Sequence, residues 1–194
     1  MKIKLYLFNI LKNKKIYIKY YILNNLVKYR NFKISDIEEI LEIYNYYILN
    51  ELNNFEEKPF KYNDFHKLTQ LIIKLKLPFI VCENNKKIVG FAFLNKFRNK
   101  SGYKYSFENS IYLDKNFIKK GIGNILLKKL LESAVKKPNI CSIVAVIGGI
   151  DSKSSVKIHK KNGFKMIGTL KNIGYKKNQW LNTIYMQLVL NEKN

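Results

Sequence analysis

Between Glu108 and Gly163 the chain sets out a series of residues that could act together. In order they are a lone carboxylate, an apolar run Ile111 to Leu113 and a basic turn, Lys119-Lys120-Gly121-Ile122-Gly123. An apolar-striped segment to Lys137, a second apolar run Ile143 to Ile147 and His159 follow. Two glycines let the backbone bend so that successive N–H groups point one way. A helix starting there adds unpaired N–H donors and a partial positive charge. That combination suits pyrophosphate. A carboxylate before it and an imidazole after it are residue types used for proton transfer. Together they suggest group transfer from a phosphorylated cofactor.

Each part alone has a plainer reading. Gly121-x-Gly123 can be an ordinary tight turn. Its context, a strand before and a helix after, is what a phosphate cradle requires. With no third glycine and no Gly-Lys-Ser/Thr downstream, neither the dinucleotide nor the P-loop pattern is met. Lys119 and Lys120 can neutralise phosphate or stay solvated. Glu108, among Tyr103, Tyr105, Phe107 and Ile111, can be a strand residue facing water. His159 can be a structural or surface histidine. Glu108 and His159 matter only as a pair.

The elements that must position them follow from periodicity. Leu26 to Arg30 reads as a strand. Ser35 is the expected N-cap of a helix, with Glu38 as its capping-box partner, and Ile37, Ile40, Leu41, Tyr44 and Ile48 form its stripe. A second helix is expected from Tyr62 to Lys76, stopped by Pro78. Phe79 to Cys82 and Ile88 to Leu94 read as strands around an Asn84-Asn85 turn, and Phe107 to Leu113 as the next strand. Gly123 to Lys137 carries Leu126, Leu127, Leu130, Leu131 and Ala134 on one face and ends at Pro138. Ile143 to Ile147 is a strand, and Ser155 to Asn162 a short helix closed by Gly163. Phe164 to Leu170 and Thr183 to Leu190 finish as strands. This is a mixed α/β (α+β) chain with early hairpins and one strand–turn–helix–strand unit, not a doubly wound parallel fold.

At 194 residues and 47% hydrophobic composition, one globular domain is expected. No apolar run approaches the roughly 20 residues of a membrane span. Cys82 and Cys141 lie in apolar runs and read as buried thiols, without the clustering a metal site needs. The formal net charge is +22, and 34 of the 36 basic residues are Lys. Such a bias, spread along the chain, favours a solvated surface first and an anionic cofactor second. Nucleic acid comes last, since Arg is the better reader of phosphates and bases. Residues 1–35 hold nine basic residues and no acid. Residues 1–25 read as a basic N-terminal extension or leader. With no Ala, Ser or Gly before Ser35 they lack a cleavage site. A cytoplasmic protein is expected, with an organellar address as the alternative. Residues 26–190 are expected to form the functional domain.

From about Leu26 to Leu190 the chain resembles the GNAT N-acetyltransferase superfamily, and within it the phosphinothricin N-acetyltransferase branch. Tyr44-Asn45-Tyr46-Tyr47-Ile48, Asn54-Phe55 with Pro59, Lys96-x-Arg98 and Tyr103 carry part of the resemblance. Glu108-Asn109-Ser110-Ile111-Tyr112-Leu113 resembles the strand bearing that family's general base. Val144 to Gly148, Ser155 to His159, Gly163-Phe164, Gly168-Thr169-Leu170, Gly174-Tyr175-Lys176 and Trp180 continue it. The resemblance implies a twisted sheet of about seven strands flanked by helices, with the strands near Ile111 and Ile143 splayed to admit acetyl-CoA. It implies Glu108 and His159 as catalytic residues. It implies cofactor binding by Ile111, Tyr112, Leu113, Lys119, Lys120, Gly121, Ile122, Gly123 and Ser152, without a metal. Phe55, Lys96, Arg98 and Tyr103 would bind a small amine acceptor, and a homodimer is allowed. The chain departs from the branch at Ile118, Ser152 and Asn182, where Gln or Arg, Asn and Asp are usual. Alternatives are a polyamine or protein N-terminal acetyltransferase, or a basic nucleic-acid-binding protein without catalysis.

Overall fold

The structure, a computed structural model, describes residues 26–149 and 152–190. The expected extension, residues 1–25, lies outside them. Seven strands form one sheet: β1 (Val27–Asn31), β2 (Phe79–Asn84), β3 (Lys87–Lys96), β4 (Ser106–Leu113), β5 (Ser142–Gly148), β6 (Lys165–Lys176) and β7 (Gln179–Val189). Their spatial order is β1-β2-β3-β4-β5-β7-β6. Every neighbouring pair is antiparallel except β4 and β5. Among the described residues four helices cover the sheet: α1 (Ile37–Asn50), α2 (Tyr62–Lys74), α3 (Ile122–Val135) and α4 (Lys153–Lys161). Among the described residues no helix is long and apolar enough to cross a membrane.

Alternation along β4 assigns the helices to faces. Tyr112 meets Tyr44 of α1, and Phe91, opposite it on β3, meets Tyr44 and Phe65 of α2. The odd-numbered residues face the other way. Leu113 lies beside Gly123 of α3, and Asn109 reaches His159 of α4. The apolar stripes bury as their spacing requires: Ile37, Ile40, Tyr44 and Ile48 in α1, and Leu126, Leu127, Leu130, Leu131 and Ala134 in α3. Each fully buried Leu or Ile contributes about 1.5–3 kcal/mol.

Two local expectations are corrected. Ser35 and Glu38 are exposed and do not cap α1. A 3-10 turn, Ile34–Asp36, precedes the helix, and the Asp36 carboxylate accepts the Lys33 N–H at 2.8 Å. A carboxylate accepts this bond more strongly than a hydroxyl and suits the helix start. The C-terminal hairpin is longer than its apolar pattern. β6 runs on to Lys176 and turns through Lys177-Asn178, both with positive φ. Nearly all of β6 is exposed, so no hydrophobic alternation marks it.

Arg30 joins the first strand to the first helix. Its guanidinium donates to both Asp36 oxygens, at 2.7 and 2.9 Å, and to Glu83 at 3.0 Å. Asp36 is 5% exposed. The planar fork suits this bidentate pairing, which raises the Arg30 pKa, the Asp36 hydrogen bond contributing most. Arg30→Met should cost about 3–5 kcal/mol in urea unfolding, because Asp36 keeps its buried charge without a cation, the Lys33 N–H alone remaining to it.

Candidate active site

The site begins where the parallel pair parts. β4 and β5 are in register over Ser106 to Asn109 and Ser142 to Ala145, and no further. Beyond this point β4 continues on β3 and β5 continues on β7. The two strands therefore fork toward their C-terminal ends, as expected. A cavity of about 670 Å³ occupies the fork, and because the sheet is open there, side chains from both faces line it.

Glu108 stands at the fork on the face covered by α1 and α2. It lines the cavity, and burial pushes its carboxyl up to about 7, with the nearby Arg98 charge pulling the other way. A carboxyl with this pKa is half ionised at neutral pH and exchanges a proton readily there. Lys96 ends β3 on the same cavity wall.

Asn109 and His159 line the opposite face of the fork. His159 is 1% exposed. Its Nδ1 lies 2.7 Å from the Ser155 carbonyl oxygen, which can only accept, so Nδ1 carries the proton. Nε2 then accepts from Asn109 Nδ2 at 3.0 Å. Burial holds the His159 pKa below its usual value, against the raising effect of the Ser155 bond. The ring is thus neutral and both its nitrogens are engaged.

The segment between α1 and α2 closes the cavity from the side. Asn45 Nδ2 donates to the Phe60 carbonyl at 2.9 Å, and the Phe60 N–H donates back to Asn45 Oδ1 at 2.8 Å. Asn54 Nδ2 donates to the Tyr112 hydroxyl at 3.3 Å. Phe55 sits against Gly148 of β5 and Gly174 of β6. A Cβ on either glycine would come within 2.8 or 2.7 Å of the ring. The two glycines are the socket for Phe55.

At the mouth of the fork the chain leaves β4 through a 3-10 turn, Lys115–Phe117, and enters α3. Gly121 is the N-cap of α3 with φ +79°, a conformation that disfavours side chains. Lys119 also has positive φ, 58°. The Asn124 N–H donates to the Gly121 carbonyl at 3.1 Å, and the N–H groups of Ile122 and Gly123 precede the first helical bond. Ile122 is fully buried, its side chain packed into the core. Gly123 lies within the helix. A Cβ there would meet Leu113 at 3.3 Å and Ile158 at 3.9 Å, so its small size seats α3 against β4 and α4.

A family profile described as the acetyltransferase (GNAT) domain matches residues 29–185. The chain belongs to the GNAT acetyltransferase family. Among curated relatives, a phosphinothricin N-acetyltransferase of Alcaligenes faecalis is 29% identical over 81% of this chain and 79% of its own length. An L-methionine sulfoximine/L-methionine sulfone acetyltransferase of Salmonella typhimurium is 28% identical over 81% of this chain and 91% of its own. The solved phosphinothricin acetyltransferase of Sinorhizobium meliloti, in complex with acetyl-CoA, superposes with a TM-score of 0.80. It is 31% identical, covering 85% of this chain and 89% of its own.

In this GNAT chain the fork collects Glu108, Lys96, Ile111, Tyr112, Phe55, Ser152 and His159 around one cavity. Lys119 to Gly123 stand apart from its lining, at the entrance to α3. Arg98 and Tyr103 also stand outside the lining. Arg98 lies 4.4 Å over the Phe97 ring, and Tyr103, 45% exposed, meets that ring edge-on at 5.8 Å. Asn54, Asn109 and Lys176 lie in the motifs that carry the resemblance, but none was expected to be a site residue. Asn109, next to the candidate carboxylate, was the most accessible of these signals. The tie between Lys176 and Asn54 spans 122 positions, and no local pattern encodes it.

Proposed function

We propose that this GNAT protein transfers an acetyl group from acetyl-CoA to the amine of a small amino-acid-like acceptor. The acceptor class is that of phosphinothricin or methionine sulfone, and residues 26–190 form the catalytic domain. The observation that carries the reading is a carboxyl pushed up to about 7, set in the wall of a cavity at the β4–β5 fork. The relatives support the acceptor class and, with the S. meliloti complex, the cofactor.

The residues present fit acetyl-CoA. The fork leaves the β4 backbone at Ile111, Tyr112 and Leu113 without a β5 partner. The Lys119 to Gly123 turn brings a left-handed glycine and first-turn N–H groups to the same end, with Ser152 across the cavity. The bound cofactor supplies an activated acetyl thioester. The chain's own residues do the rest. A primary α-amine has a pKa near ~7.7–8.0 and reacts as the free base. Glu108 removes its proton at a carboxylate oxygen, directly or through water. Arg98 helps keep that carboxylate ionised at neutral pH. Lys96 Nζ holds an anionic group on the acceptor. His159, with both nitrogens engaged, acts by fixing the Asn109 amide at the floor of the fork. The β6–β7 edge supports a homodimer, since Ile167, Ile173, Tyr175 and Trp180 are each more than half exposed.

A second reading has its own observation. Glu56 and Asp64 line the cavity as Glu108 does, while Arg98 does not, so Lys96 shares the lining with three carboxylates. That balance favours a polycationic acceptor. Thiol release from acetyl-CoA against amino acids, amino-acid analogues, polyamines and peptides separates the readings. The expected result is the highest kcat/KM with amino-acid analogues. Polyamines in first place would support the second reading. Absence of thiol release with every amine, together with tight salt-sensitive RNA binding, would overturn both.

A further inference from the structure

Lys176 is the last residue of β6 and is 3% exposed. Its neighbour Lys177 is exposed, so the hairpin end does not by itself force a lysine inward. Burial of an ammonium is unfavourable without compensation. Here burial lowers the Lys176 pKa, as does the Lys177 charge, while Glu57 and Glu56 act in the opposite direction. The compensation is specific: Nζ donates a short hydrogen bond to the main-chain carbonyl of Asn54.

Asn54 is the point at which the acceptor-side segment is held. It is 5% exposed. Its Nδ2 donates to the Tyr112 hydroxyl at 3.3 Å, and its Oδ1 accepts the Glu56 N–H at 2.9 Å. The next residue, Phe55, lies in the Gly148–Gly174 socket. A buried cation from β6, the glycine socket of β5 and β6 and the Tyr112 hydroxyl of β4 thus converge on residues 54–56. Asn54, Phe55 and Glu56 all line the cavity, while Lys176 stands behind them.

We propose that Lys176 is a positioning residue for the acceptor. Through the Asn54 carbonyl it holds Asn54, Phe55 and Glu56 in the wall that recognises the acceptor, without touching the acceptor itself. The effect on this segment stands alone; the effect on kinetics rests on the acetyl-transfer reading above.

Two variants of the full chain test it. Lys176→Met keeps the stem and removes the donor, and Lys176→Gln keeps an N–H donor without the charge. Amide hydrogen exchange over residues 51–60 and steady-state kinetics are measured for both. In Lys176→Met, exchange at the Glu56 amide and the acceptor KM should each rise about tenfold, as for loss of one hydrogen bond to a charged group. The acetyl-CoA KM and kcat should stay within about twofold of wild type, and Lys176→Gln should recover part of both effects. Unchanged exchange over residues 51–60 in folded Lys176→Met would overturn the proposal. So would an acetyl-CoA KM that rises in step with that of the acceptor. Should Lys176→Met fail to fold, Lys176→Gln carries the same measurements and the same overturning results. If wild type turns over no amine, the acetyl-transfer reading falls and exchange alone decides the role of Lys176.

Discussion

Glu108→Gln is expected to lower turnover by about two to four decades at neutral pH while leaving coenzyme A affinity near the wild-type value. Gln keeps the shape of the side chain and cannot take the proton. The wild-type kcat/KM should rise with pH through an ionisation near 7, that of Glu108, and through that of the acceptor amine. The variant should keep only the second, so raising the pH should partly restore it. Wild-type turnover with an unaltered pH profile in Glu108→Gln would remove the base assignment. Stability should move the other way. The folded pKa of Glu108 lies above the ordinary glutamate value of 4.5. The unfolded chain then binds fewer protons between about 4.5 and 7, and wild-type stability falls as pH rises through that window. Above it, Glu108→Gln should be the more stable protein by about 3 kcal/mol in denaturant titrations. Below pH 4 that advantage should vanish.

Gly121→Val should weaken coenzyme A binding by one to two decades. Gly121 has φ +79°. A β-branched residue there carries strain of about 1–3 kcal/mol and places a Cβ at the backbone approach that a phosphate needs. The refolded turn no longer presents its N–H groups together. Calorimetry on a protein with wild-type circular dichroism is the measurement. Gly102→Val is the control, since a Cβ there meets nothing within 4 Å. Equal affinities in the two variants would leave the cradle without support. Gly123→Val is the less direct test, because Leu113 and Ile158 must first make room for it.

These residues differ in how openly the sequence displays them. The helix stripes were legible because a buried face repeats every three to four residues, and α1 and α3 bury theirs. Glu108 and the Gly121 turn were legible as local patterns. The end of β6 was not, because an exposed edge strand has no reason to alternate and Gly168 and Gly174 interrupt it. Both hairpin turns, Asn85-Lys86 and Lys177-Asn178, place non-glycine residues at positive φ. The first shifts the expected Asn84-Asn85 turn by one residue. Ser35 and Asp36 compete for one helix start, and the choice goes to Asp36 through Arg30, six residues back. The state of His159 depends on a carbonyl one helical turn away and an amide 50 residues away. Only the folded chain brings them together.

The fork has a mechanical side as well. β4 and β5 share four residue pairs, the shortest ladder in the sheet, whereas β3 and β4 share seven and so do β5 and β7. Strands β1 to β4 and β5 to β7 are two plates joined along a short crease. Opening at the crease breaks few ladder bonds, so low-energy fluctuations of the sheet concentrate there. The axis along which this protein breathes most easily is the one that a ligand in the fork would suture.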